Sequence, residues 1–144
     1  MNNPASSGAE PSPTTHFGVV GVFGRANAGK STLMNRLVGE KVSIISKRPQ
    51  TTRRRTLGVI TKGDYQVLFC DTPGLHPRRN RLDDFMTSEI NQALEGIDAA
   101  MYVIDSAFPV PPEDEEYLKQ MFAKYRGPLL LILNKCDAAE PKLT

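Results

Sequence analysis

At 144 residues the sequence is long enough for one domain with a sizeable core and too short for two ordinary ones. Hydrophobic content of 40% and charged content of 24% are those of an ordinary soluble globular chain, and the longest apolar run, Pro128 to Leu133, is far too short to cross a bilayer. A formal net charge of +2 creates no strong field over the whole molecule, but it is unevenly spread: Lys47, Arg48, Arg53, Arg54 and Arg55 form one acid-free run, and Arg78, Arg79 and Arg81 a second cluster.

Residues 1–15 are rich in Asn, Pro, Ser, Thr and Gly, lack the basic start and apolar stretch of a secretory signal, and are expected to be a disordered tail. Phe17 to Phe23 is short, Val-rich and bounded by glycine, which predicts a buried first strand. Ser31 to Val38 then sets Leu33, Met34 and Leu37 at helical spacing, with Gly39 as a stop. Thr56 to Thr61 and Tyr65 to Cys70, separated by Lys62, Gly63 and Asp64, predict an antiparallel hairpin at a sheet edge. Leu82 to Leu94 carries Phe85, Met86, Ile90 and Leu94 at helical intervals, and Ala99 to Ile104 predicts another buried strand. Pro111, Pro112 and a group of acids open a helix over Glu113 to Tyr125, and Pro128 to Leu133 is the last strand. Apolar strands alternating with helices predict an α/β fold: a mostly parallel central sheet, helices on both faces and one antiparallel edge hairpin. His16 and His76 lack partners at metal-ligand spacing and are expected in loops. Cys70 and Cys136 show no paired spacing, which fits a reduced compartment and small space-filling side chains.

Gly24-Arg25-Ala26-Asn27-Ala28-Gly29-Lys30-Ser31 fits G-x-x-x-x-G-K-[ST], directly after a predicted strand and opening a predicted helix. Such a loop aims backbone N–H groups inward, and the helix N-terminus adds partial positive charge, so together they cradle a polyphosphate. Lys30 would reach the terminal phosphates and Ser31 would offer its hydroxyl to Mg²⁺, which the mutual repulsion of the phosphates requires. The sequence is thereby read as a P-loop NTPase.

Asp71-Thr72-Pro73-Gly74 follows the apolar segment Val67 to Cys70, which sets Asp71 at the carboxyl end of a strand, where ligands bind in open α/β sheets. Asp71 can hold Mg²⁺ through water. Gly74 can approach the terminal phosphate with its N–H and withdraw once that phosphate is lost, as the pivot of a switch does. Asn134-Lys135-Cys136-Asp137 follows another strand expected to be buried, Pro128 to Leu133. A carboxylate at Asp137 can accept hydrogen bonds from both the ring N–H and the exocyclic amine of guanine, a donor pair that adenine lacks. Lys135 would cover the base with its stem, and Asn134 would tie its loop back to the P-loop.

With all of these motifs in order, the sequence from about Phe17 onward resembles the translation-factor-related GTPases. Within them it resembles the Era family, ribosome-assembly GTPases with an RNA-binding KH domain: GRANAGKSTLMNRLVG, Gln50-Thr51-Thr52-Arg53, DTPGLH and NKCD look like that family's versions. The resemblance implies a GTP-hydrolysing switch acting with Mg²⁺ on the small ribosomal subunit and its 16S rRNA. It also implies a cytoplasmic setting, with peripheral association at the inner face of the cell membrane. It implies a nucleotide contact set of Gly24 to Thr32, Asp71 to Leu75 and Asn134 to Asp137, which takes in Ala26, Ala28, Gly29, Thr32, Thr72, Pro73 and Cys136. Lys30, Thr52, Asn27 and Gly74 would carry catalysis. Thr52, beside the alternative hydroxyl of Thr51, matches the threonine that coordinates Mg²⁺ and the γ-phosphate, and Ser31 and Asp71 complete the metal set. Asn27 matches the asparagine that helps hold a potassium ion beside the phosphates. Leu75 stands where Ras-like proteins place a water-orienting glutamine, so intrinsic hydrolysis should be slow.

The sequence given stops at Thr144, before the last strand and helix, the Ser-Ala guanine loop and the KH domain of the family. Residues 16–144 are therefore expected to be a partial, C-terminally incomplete G domain with reduced nucleotide affinity. Lys47 to Arg55 is either a solvated loop or a contact to ribosomal RNA. Three other functions stay open: a sibling ribosome-associated or tRNA-modifying GTPase, an ATP-using P-loop kinase, and a non-catalytic module that binds RNA or particles.

Overall fold

The computed structural model describes residues 16–38, 54–72 and 90–138. Its elements are β1 (His16–Phe23), α1 (Lys30–Val38), β2 (Thr56–Lys62), β3 (Tyr65–Asp71), β4 (Ala99–Asp105), α2 (Pro112–Lys124) and β5 (Leu129–Asn134), with residues 90–94 also helical. The expected tail over residues 1–15 lies outside the described residues, as does the expected helix from Leu82 through residue 89.

The strands form one sheet in the order β2-β3-β1-β4-β5. β1 runs parallel to both β3 and β4, β4 runs parallel to β5, and β2 pairs antiparallel with β3. The hairpin expected from Lys62, Gly63 and Asp64 is thus present, with β2 as the sheet edge. Parallel strands with helices over both faces must be apolar on both sides. Val22 and Phe23, neighbours in β1, are both fully buried, and β4 is buried from Ala100 to Ile104.

The two faces hold separate clusters. On one, Met34 of α1 packs with Val22, Phe69, Met101 and Val103. On the other, Ile90 and Ala93 join Tyr117 and Met121 of α2 against Phe23, Ala100, Tyr102 and Ile104. Tyr117 and Met121 stand four residues apart, so one stripe of α2 faces the sheet. The helix opens on Pro112 with Glu113, Asp114 and Glu115 in its first turn and closes with Lys124 in its last, complementing the helix dipole at both ends. Completely burying a side chain such as Met34 or Met121 stabilises the fold by roughly 1.5–3 kcal/mol relative to leaving it in water.

Four expectations need correction. β5 is not a buried strand: Leu130, Leu131 and Leu133 are all exposed, because it is an outer strand of the sheet that the described residues form, paired there with β4 alone. His16 is not in a loop but begins β1, stacked on Tyr65 at 4.6 Å between ring centroids and 3.8 Å from Asp64. Leu37 does not join Met34 in the core but is exposed, since its position on α1 turns away from the sheet. Cys70 fills space in the core, but Cys136 is exposed on a loop.

Candidate nucleotide-binding site

Parallel strands ending together at their carboxyl ends bring their following loops to one edge. Val22 is level with Asp71 on one side and Met101 on the other, and Asp105 is level with Asn134. Gly24 to Gly29, Asp71-Thr72, Asp105-Ser106 and Asn134 to Asp137 therefore converge, although they lie far apart in sequence.

The P-loop is shaped by local steric demands. Gly24 has φ +137°, and a β-carbon there would come within 2.4 Å of the Val103 carbonyl oxygen; the loop leaves β1 that close to β4. Asn27 has φ +66°, a left-handed conformation that asparagine tolerates better than most residues. Gly29 has φ +93° and hands the chain to α1, whose first-turn N–H groups have no intrahelical acceptors. Ala28 is buried beneath the loop, while Ala26, Asn27, Ser31 and Thr32 are exposed.

Lys30 Nζ donates to the carbonyls of Gly24 at 2.8 Å and Arg25 at 3.0 Å, curling over the loop it belongs to. Partial burial pulls its pKa below the ordinary lysine value, while the nearby charge of Asp71 pushes it up. The ammonium is thus held in a partly dry loop facing one carboxylate. Thr72, next to Asp71, is buried and donates its hydroxyl to the Val22 carbonyl at 3.0 Å, which fixes the exit of β3 against β1.

The Asn134 loop is stitched to the P-loop directly. Asn134 Nδ2 donates to the Ala28 carbonyl at 2.9 Å, and Lys135 Nζ to the Asn27 carbonyl at 2.7 Å. Lys135 itself has φ +59°, and its Nζ also pairs with Asp105 Oδ2 at 2.7 Å. That bond, with the Ala107 N–H donating to Oδ1 at 3.0 Å, holds the Asp105 carboxyl below the usual carboxylate range. Asp137 and Cys136 stand exposed beyond this stitch.

Thr52, Pro73, Gly74 and Leu75 lie outside the described residues, as do Lys47, Arg48, Arg53 and the cluster of Arg78, Arg79 and Arg81. Two residues of the site were not singled out from sequence. One is Asp105, an acid at the end of a buried strand as Asp71 is. The other is Asp114, whose carboxylate lies 3.7 Å from the P-loop residue Arg25.

Comparison with known proteins places these features. Residues 19–135 match the family model described as 50S ribosome-binding GTPase. The chain is 43% identical over 128 residues to GTPase Era of Deinococcus radiodurans and 38% identical over 125 residues to GTPase Era of Clostridioides difficile. These alignments cover 89% and 87% of this chain but only 41% and 42% of the relatives, so the chain spans about two fifths of their length. Among solved structures, an Era in complex with MgGDPNP and nucleotides 1506–1542 of 16S ribosomal RNA is 37% identical, with a TM-score of 0.63, over 88% of this chain and 43% of that one. A variant of Aquifex aeolicus Era bound to GDP and AlF4⁻ is also 37% identical, with a TM-score of 0.60, over 85% and 42%. The sheet order, the P-loop at the end of β1 and the matched span of residues 19–135 agree: the chain belongs to the 50S ribosome-binding GTPase family, and over these residues it is similar to GTPase Era.

Proposed function

We propose that this chain binds GTP and GDP with Mg²⁺, hydrolyses GTP to GDP and phosphate, and works as a switch in assembly of the small ribosomal subunit and maturation of its 16S rRNA. The observation that carries the nucleotide reading is the stitch between loops: Asn134 and Lys135 bond to the carbonyls of Ala28 and Asn27. This sets the carboxylate expected to read guanine at a fixed distance from the loop expected to hold phosphate.

The roles follow from chemistry. Amides of Gly24 to Thr32 would surround the phosphates, and Lys30 would exchange its bonds to loop carbonyls for bonds to phosphate oxygens. Ser31, exposed on the first turn of α1, and Asp71, at the end of β3, are hard oxygen donors of the kind Mg²⁺ takes, and Thr52 would join them. Among the described residues there is no group of three or more His, Cys, Asp or Glu that could hold a metal ion. When bound, the ion supplies positive charge against the developing charge on the phosphates. Gly74 and Leu75 would flank the terminal phosphate, and the carbonyl or side chain of Asn27 would help hold potassium.

The ribosomal part of the proposal rests on relatives, above all the Era solved with a 16S rRNA fragment. Arg55, which is exposed, together with Lys47, Arg48 and Arg53 of the same basic run, would contact the RNA in this chain, beside a KH domain that the resemblance implies. The setting proposed is the cytoplasm, with peripheral contact at the inner face of the cell membrane. No helix among the described residues is long and apolar enough to cross a membrane.

Titration with GTP and ATP analogues tests the base preference, and phosphate release from GTP tests hydrolysis. Asp137→Asn is the sharper form. An amide there offers a donor to the extra carbonyl of xanthine and loses the acceptor pair for guanine, so preference should pass from GTP to XTP. Equal affinity for ATP and GTP in the unsubstituted chain would instead favour a P-loop kinase.

A further inference from the structure

We infer that Asp114, held by Tyr102, is a positioning residue for the P-loop that acts through Arg25. The inference rests on the nucleotide-binding function proposed above.

Arg25 is the second residue of the P-loop, and its backbone carbonyl is one of the two that Lys30 Nζ holds. Its side chain turns away from that lysine toward α2, where Nη1 lies 3.7 Å from Asp114 Oδ1. That nitrogen is buried and has no hydrogen-bond partner, so the attraction of the carboxylate is what compensates its loss of water. The pair is unequally covered, with 40% of the Arg25 side chain exposed but only 13% of the Asp114 side chain. The carboxylate is therefore the fixed member and the arginine the one that is held.

What fixes Asp114 comes from two elements. It sits in the first turn of α2, where its N–H donates to the Pro111 carbonyl at 3.0 Å and the helix dipole favours its charge. It also accepts a hydrogen bond from the phenol of Tyr102, a residue of β4 that is 1% exposed and level with Phe23 of β1. Phe23 immediately precedes Gly24. The chain of contacts thus runs from the sheet core through Tyr102 and Asp114 to Arg25, and reaches the P-loop two residues after β1 ends. Gly24 leaves the backbone here with few intrinsic constraints, so an outside anchor has something to do: it limits the directions in which the Gly24 and Arg25 carbonyls can point. Those carbonyls hold Lys30 until phosphate takes it.

A double-mutant cycle on the chain tests this, using Arg25→Met, Asp114→Asn and both together. Two readouts are taken: affinity for a fluorescent GDP analogue and hydrogen exchange of the amides of residues 24–29. Asp114→Asn keeps a carbonyl for the Tyr102 phenol while removing the charge. Its weakening of α2 is present with or without Arg25 and cancels in the cycle. Each single change should weaken GDP binding and speed loop exchange by roughly three- to thirtyfold, with the double change no worse than the more severe single one. Asp114→Glu should recover part of both. Additive losses, or a fall in melting temperature with loop exchange unchanged, would overturn the inference and leave Asp114 a structural residue of α2. If the unsubstituted chain fails to bind GDP, the proposed function fails, and the exchange arm still decides whether Asp114 governs the loop.

Discussion

The side-chain amide nitrogen of Asn134 occupies the space beside Gly29 so closely that a β-carbon there would stand 2.3 Å from it. The P-loop glycine is therefore required twice, by its φ of +93° and by a neighbour more than a hundred residues away. Gly29→Ala should destabilise the fold by about 1–3 kcal/mol through backbone strain alone, and break the bond from Asn134 to the Ala28 carbonyl as well. The two causes separate in Gly29→Ala/Asn134→Ala, which removes the steric conflict but not the strain. Denaturant unfolding should show the double variant more stable than the sum of the single changes predicts.

Arg54 is expected from sequence to belong to a solvated or RNA-facing loop, yet its guanidinium donates to the Gln92 carbonyl at 3.1 Å and to the Glu95 carbonyl. These are carbonyls at the end of the helical residues 90–94, where no further turn supplies intrahelical N–H donors. Arg54→Ala should lower stability by about 0.5–1.5 kcal/mol, measurable by thermal unfolding, whereas Arg55→Ala, at an exposed position, should fall within about 0.5 kcal/mol of the original. If the basic run contacts rRNA, Arg55 rather than Arg54 should dominate the salt-dependent part of that association.

The ion pair of Asp105 with Lys135 makes a pH prediction. The folded-state pKa of Asp105 is held below the ordinary 3.8, so the pair's contribution is fully present above that value and is lost as pH falls through the lower folded value. Asp105→Asn should therefore be less stable than the original chain at neutral pH, with the gap closing below pH 3.8. Urea melts of both proteins across that range check the sign. A gap that widened in acid would mean that Lys135 is not the controlling partner.

The thiols should separate cleanly. Cys136 is exposed, whereas Cys70 is buried and its pKa is raised by that burial, with Arg54 opposing. Iodoacetamide should add a single label to the native chain, at Cys136, and a second only on unfolding. Guanine nucleotide should slow the first labelling if Asn134 to Asp137 is the base site, a change followed by intact mass.

Much of the fold was legible because parallel strands buried on both faces must be short continuous apolar runs, as Phe17 to Phe23 and Ala99 to Ile104 are. Strand boundaries shifted by only a residue or so. The burial of β5 was misread because Leu129 to Leu133 is equally apolar, and no run of leucines reveals how many neighbours its strand has. The P-loop and the Asn134 loop stood out because particular residue types are needed at fixed intervals. Asp105 and Asp114 did not, nor did the partners of Arg25 and Arg54, because each acts through a residue distant in sequence, and only the strand register brings Asp105 level with Asn134. His16 at the mouth of β1 gave no signal for the same reason: Tyr65 and Asp64, which it meets, are set by pairing with β3.

The bonds of Asn134 and Lys135 to the P-loop join residues 106 and 108 positions apart. A chain emerging from the ribosome makes β1 and the P-loop early, but the carbonyls of Ala28 and Asn27 stay unclasped until residue 135 has been synthesised and β5 has laid itself beside β4. Capacity for nucleotide should therefore arise late and abruptly during synthesis, after most of the sheet exists, and not grow with each added strand. The clasp between the two loops is thus completed only when nearly the whole of the described domain has been made.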